Sequence, residues 1–169
     1  MRAAICDFGL SSFVGQDAYL SKPLSGNITA PFTRAPEVFL AEGVRFTTAG
    51  AWVPPPGKIK YSAAVDIWAW ACIVLHCGTG NSLVSGESAH VVAQALACYL
   101  GVPLLASSKQ PARSQPCSKG AGSMAVRQSL QLSNFLPPHA KILDEVLVLD
   151  YSKRPRASEI EQHWRQAMP

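Results

Sequence analysis

The amino-acid sequence predicts a mainly α-helical domain built around one buried helix. The chain has 169 residues, of which 48% are hydrophobic, enough for one domain with a substantial core. The run from Ser62 to Gly78 is apolar almost all round, and a helix without a polar face is normally buried on every side. Two further stretches, Glu87 to Leu100 and Pro138 to about Asp150, place apolar residues at helical spacing.

The central helix has a predicted boundary at each end and one charge near its start. Ser62 suits the N-cap, and Gly78 suits the position just after the last helical residue. The run is too short to cross a bilayer, which needs about 20 apolar residues. Asp66 lies in the first turn, where a carboxylate faces the positive end of the helix dipole. Because a buried carboxylate needs hydrogen-bond donors, we expect other backbone to pack onto Asp66.

The elements outside the central helices are short. Arg2 to Asp7 is an apolar run that predicts one strand, ended by the turn signal Phe8-Gly9. Leu10 to Thr33 is rich in Ser, Gly, Asn and Pro and predicts a long loop. Pro36 suits the first turn of a short helix, and Ala157 to Met168 predicts a short closing helix.

Two irregular stretches interrupt the helical pattern. Gly43 to Lys60 contains three consecutive prolines, which favour an extended polyproline conformation and predict a surface insertion. Ser107 to Ser129 is dominated by Ser, Gln, Lys, Arg and Gly and has little to bury, so we expect a mobile segment there.

Composition narrows the functional classes. The net charge of +4 comes from scattered Lys and Arg, and no basic run with interleaved aromatic residues supports nucleic-acid binding. The five cysteines contain no Cys-x-x-Cys pair, and several lie in apolar stretches where free thiols behave as small hydrophobes. This pattern favours free thiols in a reducing compartment over a framework of disulfides. Met1 to Gly9 has no signal-peptide-like run, so we expect an intracellular protein (cytoplasm, nucleus or both) with no membrane partner.

A metal site is the alternative interpretation of one part of the central helix. Cys72 and His76 lie four residues apart with Cys77 beside them, a spacing that metal ligands use. No second pair with ligand spacing occurs elsewhere in the sequence. We therefore interpret these cysteines as core thiols.

Four short motifs, taken in order, resemble the C-terminal lobe of a eukaryotic protein kinase. Asp7-Phe8-Gly9 matches the motif that opens the activation segment, and Ala35-Pro36-Glu37 matches the motif that closes it. Val65-Asp66-Ile67-Trp68 matches the start of the family's central helix, and Asp150 to Pro155 matches the turn before its last helix. Each match is weak alone, but four in the right order on elements of the expected type are specific.

A finer resemblance is to the CMGC group, which holds the cyclin-dependent, mitogen-activated and glycogen synthase kinases. Arg34 stands directly before Ala-Pro-Glu, as that group's arginine does. Ala71-Cys72-Ile73 is similar to its Gly-Cys-Ile. Ser85 to Ser88 is similar to its Pro-Gly-x-Ser, and Leu100 to Pro103 to its Leu-Gly-Thr-Pro. The resemblance runs along most of the chain, with gaps at the two irregular stretches.

The resemblance implies ATP and magnesium as cofactors and assigns residues to them. Asp7 would be the ligand of the magnesium that bridges the ATP phosphates. Phe8 would pack inside and orient Asp7, and Gly9 would give the backbone its freedom. These three residues are the implied cofactor-binding set.

Other matching residues take structural or substrate roles in the family. Glu37 would pair with Arg154, and Trp68 would be structural. Asp66 would accept hydrogen bonds from the backbone of the catalytic loop, and Arg34 would shape the floor of the substrate groove. Arg156 stands where the family has a threonine cap, which weakens the predicted start of the last helix. Five residues lie where family members carry activating phosphates, although loops are serine-rich anyway: Ser11, Ser12, Ser21, Ser25 and Thr29.

Several catalytic parts of a kinase are absent from the sequence. It contains no His-Arg-Asp motif, and no glycine-rich loop, ATP-anchoring lysine or partner glutamate precedes Asp7. Phosphoryl transfer depends on positioning and electrostatics, so we expect this chain alone neither to hold ATP nor to act as a kinase. The predicted fold is thus a mainly α, kinase-like C-terminal lobe, truncated and without the N-terminal β lobe and the catalytic loop.

Two functional interpretations remain open. The chain is either part of a serine/threonine kinase that phosphorylates a protein substrate, or a truncated pseudokinase that works as an interaction module. For the second, the cleft side of the central helix assembly would expose an apolar patch to a partner protein. The predicted organisation is one partial kinase domain, 1–169, divided into a strand plus activation segment (1–37), a Pro-rich insertion (41–60), central helices (62–103), a flexible insertion (104–137) and terminal helices (138–168).

Overall fold

Helices form most of the architecture in the computed structural model of the protein, which describes residues 8–11, 22–24, 29–41, 44–53, 59–102 and 137–168. These residues contain five helices: α1 (Pro36–Phe39), α2 (Ala64–Thr79), α3 (Ala89–Leu100), α4 (Pro137–Val146) and α5 (Ala157–Gln166). They also contain two separate antiparallel strand pairs, β1 (Lys22–Leu24) with β4 (Ile59–Tyr61) and β2 (Arg45–Phe46) with β3 (Trp52–Val53). The described part is therefore mainly α, as predicted.

Helix α2 lies at the centre of the core, with Trp68, Cys72 and Leu75 buried among the other helices. One stripe of the helix is open: Asp66, Ile73 and Cys77 are exposed, and Ile73 keeps 54% of its surface accessible. The prediction that α2 is buried on every side is therefore wrong. Polarity could not show the open stripe, because Ile73 and Cys77 are themselves apolar.

The ends of α2 differ slightly from the predicted ones. Ala63 is the N-cap, while the Ser62 hydroxyl accepts a hydrogen bond from the Ala64 amide at 3.3 Å. At the other end the helix continues through Gly78 to Thr79, and Gly80 ends it with a φ of 72°. The sequence offers two glycines here, and the left-handed conformation that terminates a helix falls on the second.

Helix α3 starts two residues later than predicted, because Ser88 serves as its N-cap and accepts a hydrogen bond from the Val91 amide at 3.3 Å. Gly101, at a φ of 68°, ends it as predicted. The buried face consists of Val92, Ala93, Leu96 and Ala97, whereas Val91 is exposed.

The two terminal helices are shorter than predicted. Helix α4 ends at Val146 instead of near Asp150, whose carboxylate accepts hydrogen bonds from the amide and hydroxyl of Ser152 and so caps the following turn. Helix α5 ends at Gln166 and not at Met168. Its start is supported by the Glu159 carboxylate, which accepts a hydrogen bond from the Arg156 amide at 2.6 Å. This contact is half of a capping box, so the missing threonine is partly replaced.

Part of the insertion at 41–60 is a β-hairpin that packs against His90 of α3. The Gly50 amide donates to the Thr47 carbonyl at 2.9 Å in the turn between β2 and β3. The His90 amide donates to the Gly50 carbonyl at 3.0 Å, and the Phe46 ring stacks on the His90 ring at 4.8 Å. The three prolines and the predicted strand at 2–7 lie outside the described residues. So does the predicted flexible insertion at 104–137, except for Pro137, which begins α4.

The cysteines do not all behave as predicted. Cys72 is a buried free thiol, whereas Cys77 is an exposed one, so the interpretation as a core thiol is wrong for Cys77. Cys98 takes part in a disulfide, so the prediction of free thiols is wrong for Cys98. A disulfide depends on the approach of two Cα atoms in space, which the spacing of cysteines along the sequence does not show.

Within the described ranges, no helix is long and apolar enough to cross a membrane.

Candidate functional site

Arg154 forms a buried network that joins three parts of the chain. Its Nη1 and Nη2 atoms each lie 2.8 Å from one carboxylate oxygen of Glu37, so the pair is bidentate. Nη1 also donates to the Ala64 carbonyl at 3.0 Å, and Nε and Nη2 donate to the Val148 carbonyl at 3.2 and 3.0 Å. The guanidinium carbon lies 4.9 Å from the ring centroid of Trp68. The pair that the resemblance implies between Glu37 and Arg154 is thus present.

This network uses the whole hydrogen-bonding capacity of the arginine. A guanidinium has five N–H donors, and the five bonds to Glu37, Ala64 and Val148 match that number. The side chain of Arg154 is inaccessible to solvent and that of Glu37 nearly so. The network therefore has no donor left for a ligand, and its role is to join α1, the start of α2 and the turn before α5.

Arg34 is buried two residues before the start of α1. Its Nε and Nη2 atoms donate to the Thr29 carbonyl at 3.1 and 2.5 Å, and its guanidinium carbon lies 5.4 Å from the ring centroid of Phe39. Burial lowers the pKa of Arg34. The structure thus uses Arg34 to hold the chain just before α1; its proposed place in a substrate groove remains a prediction.

The two described residues of the motif at 7–9 are exposed. Phe8 begins a single turn of 3-10 helix, in which the Ser11 amide donates to the Phe8 carbonyl at 3.0 Å, and 67% of its surface is accessible. The expectation that Phe8 packs inside is therefore wrong, because the described part of the chain does not cover its ring. Gly9 is exposed as well, and Asp7 lies outside the described residues.

Asp66 is not the buried carboxylate that we expected. It is exposed, and none of the described residues donates a hydrogen bond to its carboxylate. Its surroundings still exclude part of the solvent, and this partial burial raises the pKa of Asp66. Burial, with the Asp66 charge as a second cause, raises the pKa of Tyr61. Trp68, two residues further along α2, is fully buried beside Arg154.

The candidate phosphate acceptors are only partly described. Ser11 is exposed, whereas the hydroxyl of Thr29 is buried and has no hydrogen-bond partner. An enzyme could reach the Thr29 hydroxyl only after this loop moved. Ser12, Ser21 and Ser25 lie outside the described residues.

The described residues do not form a metal or nucleotide site. Among them, no three His, Cys, Asp or Glu side chains come together as metal ligands. Cys72 is buried, and this burial raises the pKa of its thiol to about 12, while His76 and Cys77 are exposed. Of the implied cofactor-binding set, Phe8 and Gly9 lie exposed on a turn, and Asp7 is outside the described residues. These residues alone therefore do not fit the implied cofactors.

An apolar groove of about 620 Å³ runs between α2 and α5. The rings of Trp70 and Trp164 meet edge to face at 5.4 Å, and the buried ring of His139 lies 4.3 Å from Trp164. The sequence predicted a closing helix at 157–168, but not which helix it would meet. The groove is lined mainly by apolar side chains: Ile67, Trp70, Val74, Ile160, Trp164 and Met168.

Comparison of sequences relates the chain to mitogen-activated protein kinases. No protein-family model matches it. It is 29% identical over 159 residues to Mitogen-activated protein kinase 8 of Oryza sativa subsp. japonica, covering 92% of this chain and 25% of that protein. It is 28% identical over 163 residues to Mitogen-activated protein kinase hog1 of Aspergillus clavatus, covering 94% of this chain and 38% of that protein. The chain thus spans well under half the length of these relatives.

Comparison with solved structures also relates the chain to protein kinases. The yeast RNA Pol II CTD kinase CTDK-1 complex contains a chain that matches with a TM-score of 0.62 at 16% identity, covering 98% of this chain and 50% of the other. The CAK complex from Chaetomium thermophilum bound to ATP-gamma-S matches with a TM-score of 0.60 at 20% identity, covering 94% and 46%. The chain therefore has the fold of a protein kinase C-terminal lobe, and in sequence it resembles kinases of the CMGC group.

Proposed function

We propose that this chain is the C-terminal-lobe portion of a protein serine/threonine kinase of the CMGC group. The observation that carries the proposal is the network of Arg154, because it joins two of the four kinase-like motifs, Glu37 and the turn at 150–155, directly to the start of α2. In this role the chain provides the anchor of the activation segment and the floor on which a protein substrate binds. Its location would be intracellular.

The proposal divides the catalytic parts between this chain and further polypeptide. Asp7 is the residue of this chain that would bind the magnesium, and Arg34 the one that would shape the substrate groove. The catalytic base and the ATP-anchoring lysine are not in the sequence, so they have to come from elsewhere. We therefore expect the isolated chain to bind neither ATP nor magnesium productively, and to transfer no phosphate.

A second candidate function is that of a protein-interaction module without catalysis. The groove between α2 and α5 supports it, because Trp70, Trp164 and Met168 offer a partner protein an apolar surface. Neither candidate involves nucleic acid or a membrane.

The test is a thermal-shift measurement with Mg·ATP, first on the isolated chain and then on any longer in-frame product that the native transcript encodes upstream of Met1. A ligand at 100 times its dissociation constant stabilises the native state by about 2.7 kcal/mol. We expect no magnesium-dependent shift from the isolated chain and a clear shift from a longer product that contains His-Arg-Asp.

Two variants sharpen this test. In the longer product, Asp7→Asn should abolish the magnesium-dependent part of the shift, whereas Ser11→Ala, at an exposed position nearby, should leave it unchanged. A shift with the isolated chain contradicts the proposal. A stop codon directly upstream of Met1 favours the interaction module instead.

A further inference from the structure

The β2–β3 hairpin closes on itself and is held at its tip by α3. The Thr47 amide donates to the Ala51 carbonyl at 2.9 Å, and the Ala51 amide donates to the Thr47 hydroxyl at 3.0 Å. The Gly50 carbonyl, in the turn, accepts a hydrogen bond from the His90 amide at 3.0 Å. The hairpin is therefore a stiff arm fixed to the first turn of α3.

The side chain of Phe46 connects this arm to α1 as well. Its ring stacks on the His90 ring with the centroids 4.8 Å apart, and it meets the Phe39 ring edge to face at 6.5 Å. Phe39 is fully buried in α1, and Phe46 is partly buried against the same core. Because aromatic pairs prefer particular geometries, the place of the Phe46 ring constrains that of Phe39.

Phe39 in turn contacts Arg34. The guanidinium carbon of Arg34 lies 5.4 Å from the centroid of the Phe39 ring, within the range of a cation–π contact. The same guanidinium donates twice to the Thr29 carbonyl. Contacts thus run without a break from Phe46 of the hairpin through Phe39 to Arg34, and packed side chains of this kind can carry energetic coupling.

The two ends of this series of contacts differ in origin. The hairpin lies in a stretch where the resemblance to CMGC kinases has a gap, so the resemblance assigns it no role. Arg34 lies at the position that the resemblance places in the floor of the substrate groove. The contacts therefore join a part that is particular to this chain to a proposed substrate-binding residue.

We propose that Phe46 is a positioning residue for the substrate groove. The hairpin fixes the Phe39 ring, and this ring fixes the Arg34 guanidinium, so the insertion sets the shape of the groove that receives a protein substrate. Without the Phe46 ring, Phe39 has room to tilt and Arg34 holds the Thr29 carbonyl less firmly. The substrate role rests on the proposed kinase function, but the coupling of Phe46 to Arg34 does not.

The experiment follows the Nε–H protons of two arginines by NMR in the full 169-residue chain. Nε of Arg34 donates to the Thr29 carbonyl at 3.1 Å, and Nε of Arg154 donates to the Val148 carbonyl at 3.2 Å, which makes Arg154 the internal control. Hydrogen exchange reports local opening, so Phe46→Ala should speed exchange at Arg34 by at least about fivefold and at Arg154 by less than about twofold. Equal acceleration at both arginines, or none at either, overturns the proposal.

Two further variants separate the effect of the ring from the loss of buried volume. Phe46→Tyr keeps the ring and should leave exchange at Arg34 unchanged. Val44→Ala removes apolar volume from another buried position of the same insertion, so it should lower the free energy of unfolding without favouring exchange at Arg34 over Arg154. Selective acceleration at Arg34 in Val44→Ala, as large as in Phe46→Ala, overturns the specific role of the ring.

Enzyme kinetics test the substrate role in a longer product that has kinase activity. Phe46→Ala should raise the KM for a peptide substrate by at least about fivefold and leave kcat and the KM for ATP within about twofold. Thr48→Ala, at the exposed tip of the hairpin, should leave all three unchanged. An unchanged peptide KM in Phe46→Ala overturns the positioning role. If no longer product phosphorylates a protein, the proposed function fails and the substrate role with it, whereas the exchange measurement still decides the coupling.

Discussion

The Arg154 network and the turn at Phe8–Leu10 both belong to kinase-like motifs, yet their surroundings are opposite. Arg154 finds every hydrogen-bond acceptor it needs within this chain, at Glu37, Ala64 and Val148. The described part of the chain does not bury the Phe8 ring, and 67% of the surface of Phe8 is accessible. A short motif therefore takes a buried structure only where the described part of the chain supplies the groups that it packs against.

Breaking the buried ion pair is the largest effect that this comparison predicts. Glu37→Gln leaves the Arg154 charge buried without its counter-ion, and breaking one partner of such a pair typically costs about 3–5 kcal/mol. The free energy of unfolding in urea measures the loss. The matched control is Glu161→Gln, which removes an exposed partner of Arg165 and should cost less than about 1 kcal/mol. Equal losses in the two variants would contradict the contrast.

A pair of phenylalanines compares the two regions directly. Phe39→Ala empties a fully buried position beside Arg34 and should cost about 3–5 kcal/mol. Phe8→Ala changes an exposed ring and should alter the free energy of unfolding by no more than about 0.5 kcal/mol. Thermal or urea unfolding of both variants checks this. A loss of several kcal/mol for Phe8→Ala would show that its ring packs inside after all.

Thiol labelling tests whether the buried network stays closed. Burial raises the pKa of Cys72 to about 12, so its thiol is protonated and shielded, whereas Cys77 is exposed. A thiol-specific reagent at neutral pH should therefore modify Cys77 quickly and Cys72 only when the core opens. Glu37→Gln should speed the modification of Cys72 and not that of Cys77. Rapid labelling of Cys72 in the unaltered protein would contradict its burial.

The smallest expected effect concerns Asp66. Partial burial raises its pKa, so the folded protein binds the proton more tightly than the unfolded chain does. The stability that Asp66 contributes is therefore fully present below the ordinary aspartate pKa and is lost as the pH rises through the raised, folded value. Asp66→Asn should flatten this pH dependence and leave the protein at least as stable at neutral pH. The change should stay below about 1 kcal/mol, since the carboxylate is exposed.

Urea midpoints of both proteins at about pH 3 and about pH 7.5 measure the Asp66 effect, since this interval begins below the ordinary aspartate pKa of about 3.9 and extends through the raised value. A clear loss of stability in Asp66→Asn at the higher pH would mean that the carboxylate accepts hydrogen bonds from other backbone, as the sequence first led us to expect.

The sequence predicted the features that local pattern determines. Apolar periodicity located α2 and α3, and the short motifs gave the kinase-like fold and the pairing of Glu37 with Arg154. Two features that it missed depend on contacts between distant segments: the open stripe at Ile73 and the disulfide of Cys98. The end of α2 is a local choice between two nearby glycines, and the pattern did not show that the left-handed conformation falls on Gly80. For the candidate site the limit is similar, because the packing of Phe8 depends on groups that its own motif does not specify.

The docking of the β2–β3 hairpin makes one position of the insertion as intolerant of change as a core residue. A Cβ atom added at Gly50 would lie 2.6 Å from the hydroxyl oxygen of Ser88, and the φ of 77° disfavours any side chain there. A methyl group at Gly50 would thus displace the residue that caps α3. Genetic variation in this stretch should therefore be uneven, with Gly50 fixed while the exposed neighbours Thr48 and Ala49 vary freely.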